Sequence, residues 1–181
     1  MMNLKKIALA VAMASAMAAG AANAATSQGQ GKITFEGTII EAACSIDAKS
    51  IYQTIQMGAI AKHQLEAGGK STPVDFSIQL HDCDPANLNN GAATVSFNGI
   101  AGSATDGLDK AMAITGVGSG AAIGIMDIGG NAVIPNTPSK EMKLAVGDNL
   151  LEFKAFVQGS TNSNIVVGAF QSVANFVMDY K

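Results

Sequence analysis

The sequence predicts an all-β fold, a sandwich or a barrel, and three observations lead there. Alternation of apolar and polar residues at period two recurs along the chain, which is the mark of half-buried strands. Helical periodicity is nearly absent beyond residue 24. Turn-forming clusters interrupt the apolar segments at short intervals, as in sandwiches and barrels built from many short strands.

Taken in order, the first strand candidate is Ile33-Thr34-Phe35-Glu36. Thr38-Ile39-Ile40 and Ile51–Met57 follow, less regular but rich in β-branched residues. Val74–Leu80 alternates cleanly and puts Val74, Phe76, Ile78 and Leu80 on one face. Thr94–Asn98 is next. Gly116–Gly130 reads as a glycine-rich loop running into a strand that contains Ile123 and Ile125. Met142–Val146, Leu151–Val157 and Ala174–Tyr180 complete the set. Between them lie Gly68-Gly69, Asp84-Pro85, Asn89-Asn90-Gly91, Gly129-Gly130-Asn131, Pro135–Pro138, Gly147–Asn149 and Gly159–Asn164, all turn chemistry. No linker or internal repeat divides the chain, and 181 residues suit one domain with an appended segment.

Residues 1–24 read as a secretory signal. Lys5 and Lys6 precede the apolar run Ile7–Ala19, and Ala22-Asn23-Ala24 is a small-x-small cleavage site. The run is shorter than the roughly 20 residues that span a bilayer, and no second stretch is long and apolar enough to do so. The mature chain is therefore expected to start at Ala25 and to have no stable membrane insertion. Export places its only two cysteines, Cys44 and Cys83, in an oxidising compartment, where one disulfide is the expected state. His81-Asp82-Cys83-Asp84 is rich in metal-ligand types, but a zinc site wants four ligands and Cys44 is distant with no CxxC spacing. No metal or other cofactor is expected.

Composition removes other classes. The bases are all lysine, without an arginine, and the formal net charge is −3, so no nucleic-acid partner is expected. Gly69-Lys70-Ser71 lacks the upstream glycine of a phosphate loop, because Gln64 stands there. Gly116-Val117-Gly118-Ser119-Gly120 has no βαβ unit around it. Asp82-x-Asp84 lacks the next ligand and the central glycine of a calcium loop. His63 and His81 have no evident catalytic partner, and no catalytic residues are assigned: the chain is not expected to be an enzyme.

The N-terminal run Gly29-Gln30-Gly31-Lys32-Ile33-Thr34-Phe35-Glu36-Gly37-Thr38-Ile39-Ile40-Glu41-Ala42-Ala43-Cys44 joins a glycine-rich extension to Phe-x-Gly, β-branched residues and a cysteine. Phe76–Cys83 is an alternating strand that ends in the second cysteine. At the C-terminus Gly168 stands fourteenth from the end, Phe176 and Met178 alternate, and Tyr180 is penultimate. Together these resemble the subunits of chaperone–usher pili, most closely the major pilins of type 1 and P fimbriae.

The resemblance implies an incomplete immunoglobulin-like sandwich over residues 37–181 that lacks its last strand. It further implies head-to-tail homopolymerisation by donor-strand exchange, a mode of strand addition. Residues 25–36 would be the donor, with Gly29, Gly31, Ile33 and Phe35 entering the neighbour's groove. About Gly168–Tyr180 would be the acceptor and chaperone-binding strand, with Phe176, Met178 and Tyr180 in or beside the groove; its alternation is imperfect near Ser172. The implied partners are a periplasmic assembly chaperone, an outer-membrane usher and further copies of the chain. The implied destination is an extracellular fimbrium, with this chain as its major rod subunit. A minor adaptor subunit is the alternative within that class. A soluble secreted or periplasmic binding module is the alternative outside it, disfavoured by the absence of tryptophan and the presence of only two tyrosines.

Overall fold

The computed structural model describes residues 31–181, in two units that divide between Ile39 and Ile40. The expected signal segment 1–24, Gly29 and the start of the expected donor lie outside the described residues. Residues 31–39 have no regular secondary structure, so the strands expected at Ile33–Glu36 and Thr38–Ile40 are not formed. Ile33 is 78% exposed and Phe35 90%. A strand exists only when another backbone bonds to it.

In the second unit the strands run in chain order as β1 (Ser45–Ile46), β2 (Val74–Cys83), β3 (Ala92–Asn98), β4 (Met112–Ala113), β5 (Thr115–Gly116) and β6 (Ala121–Asp127). Then come β7 (Ala132–Val133), β8 (Met142–Lys143), β9 (Gly147–Gly159), β10 (Phe170–Gln171) and β11 (Asn175–Tyr180). Two single-turn helices, α1 (Ala48–Ile51) and α2 (Lys62–Leu65), interrupt the β structure. The larger sheet has the order β1-β2-β9-β6-β4, with β7 also on β6. The smaller has the order β11-β3-β8, and β10 pairs with β5. Every strand pair is antiparallel.

The period-two reading is met most fully along the β2–β9 ladder. β2 buries Ile78, Leu80 and Cys83, and β9 buries Leu151, Phe153, Ala155 and Val157. The register opposes Phe76 to Phe153 and Ile78 to Leu151, which stacks like faces across the sheet. Phe97 of β3 bridges the two layers, with ring centroids 5.1 Å from Phe153 and 5.8 Å from Phe76. Met142–Val146 is shorter than expected, pairing only at Met142 and Lys143. Ile51–Met57 forms no strand: Ile51 closes α1, and the chain beyond runs unpaired.

Cys44 and Cys83 are joined in a disulfide, and no free cysteine is present among the described residues. The bond ties the segment before β1 to the end of β2, where the register slips between Leu80 and Cys83 and Asp82 adopts φ 51°. His81 stands beside this slip. Its Nδ1 lies 2.9 Å from Asp148 Oδ1 and its Nε2 3.4 Å from Asp47 Oδ2. Asp47 also accepts the Lys49 N–H as the N-cap of α1, at 2.8 Å. That bond, helped by His81, lowers the Asp47 pKa. Hydrogen bonds to Asp148 and then Asp47 raise that of His81 above its ordinary 6.5.

A histidine whose pKa is raised by folding binds more protons in the native state, so its contribution is complete below pH 6.5 and is lost as pH rises through the folded value. Thermal unfolding should therefore show part of the stability disappearing above about pH 6.5, and His81→Gln should flatten that stretch of the profile. An unchanged profile in the variant would mean that the two aspartates do not hold the imidazolium. Cys44→Ser should cost about 2–5 kcal/mol, read by denaturant titration of the oxidised and variant proteins.

Candidate strand-acceptor groove

β11 is an end strand of its sheet, bonded to β3 on one side only. At the corresponding edge of the larger sheet, β1 is two residues long and the chain then leaves the ladder. Between these edges a groove of about 1590 Å³ opens onto the core. That exceeds the roughly 300–1,000 Å³ of a small-molecule pocket. Its floor is made of core side chains, among them Phe76, Ile78, Phe97, Ile123, Ile125 and Val157. Phe76 and Ile123 are only half-buried although they pack on the core cluster, because the cover above them is missing.

One lip is the segment from Ile51 to Ile60. Between Gln53 and Ile60 no backbone group bonds to another backbone group among the described residues. Ile55, Met57 and Ile60 are half-buried while Thr54, Gln56 and Gly58 are exposed, so the side chains already alternate as in a strand. The other lip runs from Ile165 through β10 to Phe176. Its outer side is bonded, but at Val173–Ala174 no backbone pairing is made among the described residues. Unpaired edges above an aliphatic floor form a template for one more strand.

The second lip is held by glycines. Val117 and Gly118 both donate to the Ala169 carbonyl at 3.0 Å, and Ser119 and Val166 exchange bonds of 3.2 and 3.0 Å. A Cβ on Gly118 would sit 2.7 Å from the Gly168 carbonyl oxygen, and one on Gly168, at φ +154°, 2.7 Å from Val117 Cγ1. The stretch Gly116–Gly120, expected to be a loop, is thus a close backbone partner of Asn164–Phe170. Only glycine permits that approach.

Of the expected acceptor residues, Gly168 and Phe176 line the groove. Met178 and Tyr180 share the inward face of β11 with Phe176 but pack on the core beyond it. The Tyr180 hydroxyl lies 3.5 Å from the Cys44 carbonyl oxygen, and partial burial raises its pKa. The expected continuous strand Gly168–Tyr180 is broken at 172–174, where the imperfect period of the sequence falls. Gly31, Ile33 and Phe35 stand exposed in the first unit. The lip Gln53–Ile60 is not among the site residues expected from the sequence, although the strand expected over Ile51–Met57 covers much of it. Among the described residues no group of His, Cys, Asp and Glu side chains could hold a metal, and no helix is long and apolar enough to cross a membrane.

A family model described as "Fimbrial protein" matches residues 33–181. The chain belongs to the fimbrial protein family. It is 40% identical to the Fimbria A protein of Serratia marcescens over 99% of this chain and all of that one. It is 41% identical to the PRS fimbrial major pilin protein of Escherichia coli, over 87% of this chain and 98% of that one. Among solved structures, a chaperone–usher pilus subunit from a study of rod uncoiling superposes with a TM-score of 0.74 at 36% identity, covering 85% of this chain and 97% of that one. The fold is therefore the immunoglobulin-like pilin sandwich without its last strand, and the protein is a structural fimbrial subunit rather than an enzyme.

Gly168→Ala should lower the melting temperature by several degrees, since either Val117 or the lip must move. A variant as stable as wild type would show that the close approach carries no strain.

Proposed function

We propose that this fimbrial subunit polymerises head-to-tail by donor-strand exchange, with residues 25–36 of one copy filling the groove of the next. The observation that carries the reading is a pair of strand-like lips with unpaired backbone on either side of an aliphatic floor. The donor and the lip Ile165–Phe176 have the same length in residues, so an extended donor reaches from one end of the groove to the other. Ile33 and Phe35, exposed in the single chain, share a face as a strand and would occupy the floor. Burying both is worth about 3–6 kcal/mol before ordering costs. Gly29 and Gly31 share that face. Gly168, Phe176, Met178 and Tyr180 then belong to the accepting strand.

An open groove of this kind is an aggregation hazard for a lone subunit. A periplasmic chaperone that lends a strand would cover it in transit, and an outer-membrane usher would be where the next subunit replaces the chaperone. Donation from each copy to the next is heterologous and does not close, so the product is a filament. The signal segment 1–24 and the likeness to fimbrial major pilins support export to a cell-surface fimbrium, with this chain as the major rod subunit.

A subunit lacking residues 25–36 should still be captured by its chaperone but should not extend a filament. A synthetic peptide of residues 25–37 should raise the melting temperature of that truncated subunit markedly. The same peptide with Ile33→Asp and Phe35→Asp should not, because carboxylates would enter an apolar groove. Equal melting temperatures with either peptide and with none would show the sandwich to be complete without a donor.

A further inference from the structure

The groove described above is lined almost wholly by uncharged residues: among the described residues Lys62 is the one charged side chain on its rim. Lys62 is exposed at the start of α2 and enters no ion pair among the described residues, Glu66 one turn on included. Its position is at a defined end. There Leu65, Val157 and Ile165 pack together with Ile60, so the first lip finishes where the second begins. The opposite end, where Ile46 and Phe176 join the main core, lies toward the disulfide. Near that end stand Asp47 and Asp148 around His81, Asp82 and Asp84 flanking Cys83, and Asp179 on β11, against Lys49 beside Asp47, Lys181 two residues beyond Asp179 and Lys143 opposite Ala92, so carboxylates outnumber lysines there by five to three.

Every strand pair among the described residues is antiparallel, which is also the commoner pairing in proteins generally. A strand laid antiparallel to Ile165–Phe176 enters at the acidic end and leaves at Lys62. In the donor, Ile33 and Phe35 face inward, so Lys32, Thr34 and Glu36 face outward. Glu36 is the acidic residue of the donor segment and stands at its C-terminal end. We propose, resting on the donor-strand reading, that Lys62 of the accepting copy pairs with Glu36 of the donating copy, and that this rim contact sets the direction and register of the inserted strand. In the reversed direction Glu36 would meet the aspartates instead, a like-charge encounter. A slip by two residues keeps the same side chains inward but moves Glu36 by about 6.6 Å, out of ion-pair reach. The apolar floor sets how tightly a donor is held; the single charge distinguishes placements that the floor alone accepts.

The test uses the full chain in cells that build the filament. Lys62→Cys combined with Glu36→Cys, treated with a short bifunctional maleimide, should give a covalent ladder of subunits on gels of sheared filaments, because a lysine–glutamate pair keeps its two Cα atoms within the span of such a linker even where they lie beyond the about 4.4–6.8 Å of a direct disulfide. Either cysteine alone should give none. A ladder from Glu36→Cys with Asp179→Cys, and none with Lys62→Cys, would overturn the proposal by showing the opposite direction. Where the cysteine pair blocks assembly, charge reversal asks the same question. Lys62→Glu and Glu36→Lys should each lower filament mass about two- to five-fold at low salt, and the double reversal should restore it. Singles without effect, or a double no better than the singles, would overturn the pairing. Phe35→Asp in the full chain separates the two levels: if it still assembles as wild type, donor-strand exchange through this segment fails, whatever Lys62 does.

Discussion

A backbone that lacks its hydrogen-bond partners over an exposed apolar floor is the constraint on which this molecule turns. β2 and β9 build a well-paired wall, and Phe76, Phe97 and Phe153 knit it to β3. On the open side, the Gln53–Ile60 segment and the edge of β10 and β11 are shaped like strand neighbours with no strand between them. Water can satisfy the polar groups there but not the aliphatic side chains beneath. Only another extended chain of alternating pattern answers both needs at once.

The lips keep their places because each is fixed from its outer side or its ends. The first is anchored where the Cys44–Cys83 bond and the Asp47 cap hold α1 to β2, and where Gln53 Nε2 donates to the Ser77 carbonyl at 2.8 Å. At its far end Leu65 packs on Val157 and Ile165. The second lip is fastened by the glycine strip, which lets two backbones approach more closely than any side chain allows. A strand that enters a groove already in shape spends less of its binding energy on ordering the acceptor. The same glycines that look like flexibility in the sequence serve rigidity in the fold.

Composition also limits the chemistry open to the site. Without arginine or tryptophan, and with 14% charged residues, the chain has little material for phosphate recognition or an aromatic sugar platform. The polar clusters of the described residues are local braces. Hydrogen bonding from Ser163, then Ser103 and Ser160, lowers the Asp106 pKa, and Asp127 takes both the backbone and side-chain N–H groups of Asn131. They close turns at the sandwich ends and leave the groove to apolar contact, which suits a structural subunit of the fimbrial family.

The alternation in Val74–Leu80, Leu151–Val157 and Asn175–Tyr180 determined the all-β class, because period two is a local property that any extended chain with one buried face must show. The two cysteines in an exported chain determined their pairing. What the sequence could not decide was pairing at long range. Ile33–Glu36 alternates as well as any strand yet has no partner within the described chain, and Gln53–Ile60 becomes a lip only because the ladder beyond β1 ends there. Gly116–Gly120 read as a loop because glycine signals conformational freedom; what a particular glycine does with that freedom depends on which backbone folds against it, here Asn164–Phe170. Which edges meet, and which are left open, follows from packing two sheets over one core, and only the tertiary structure holds that information.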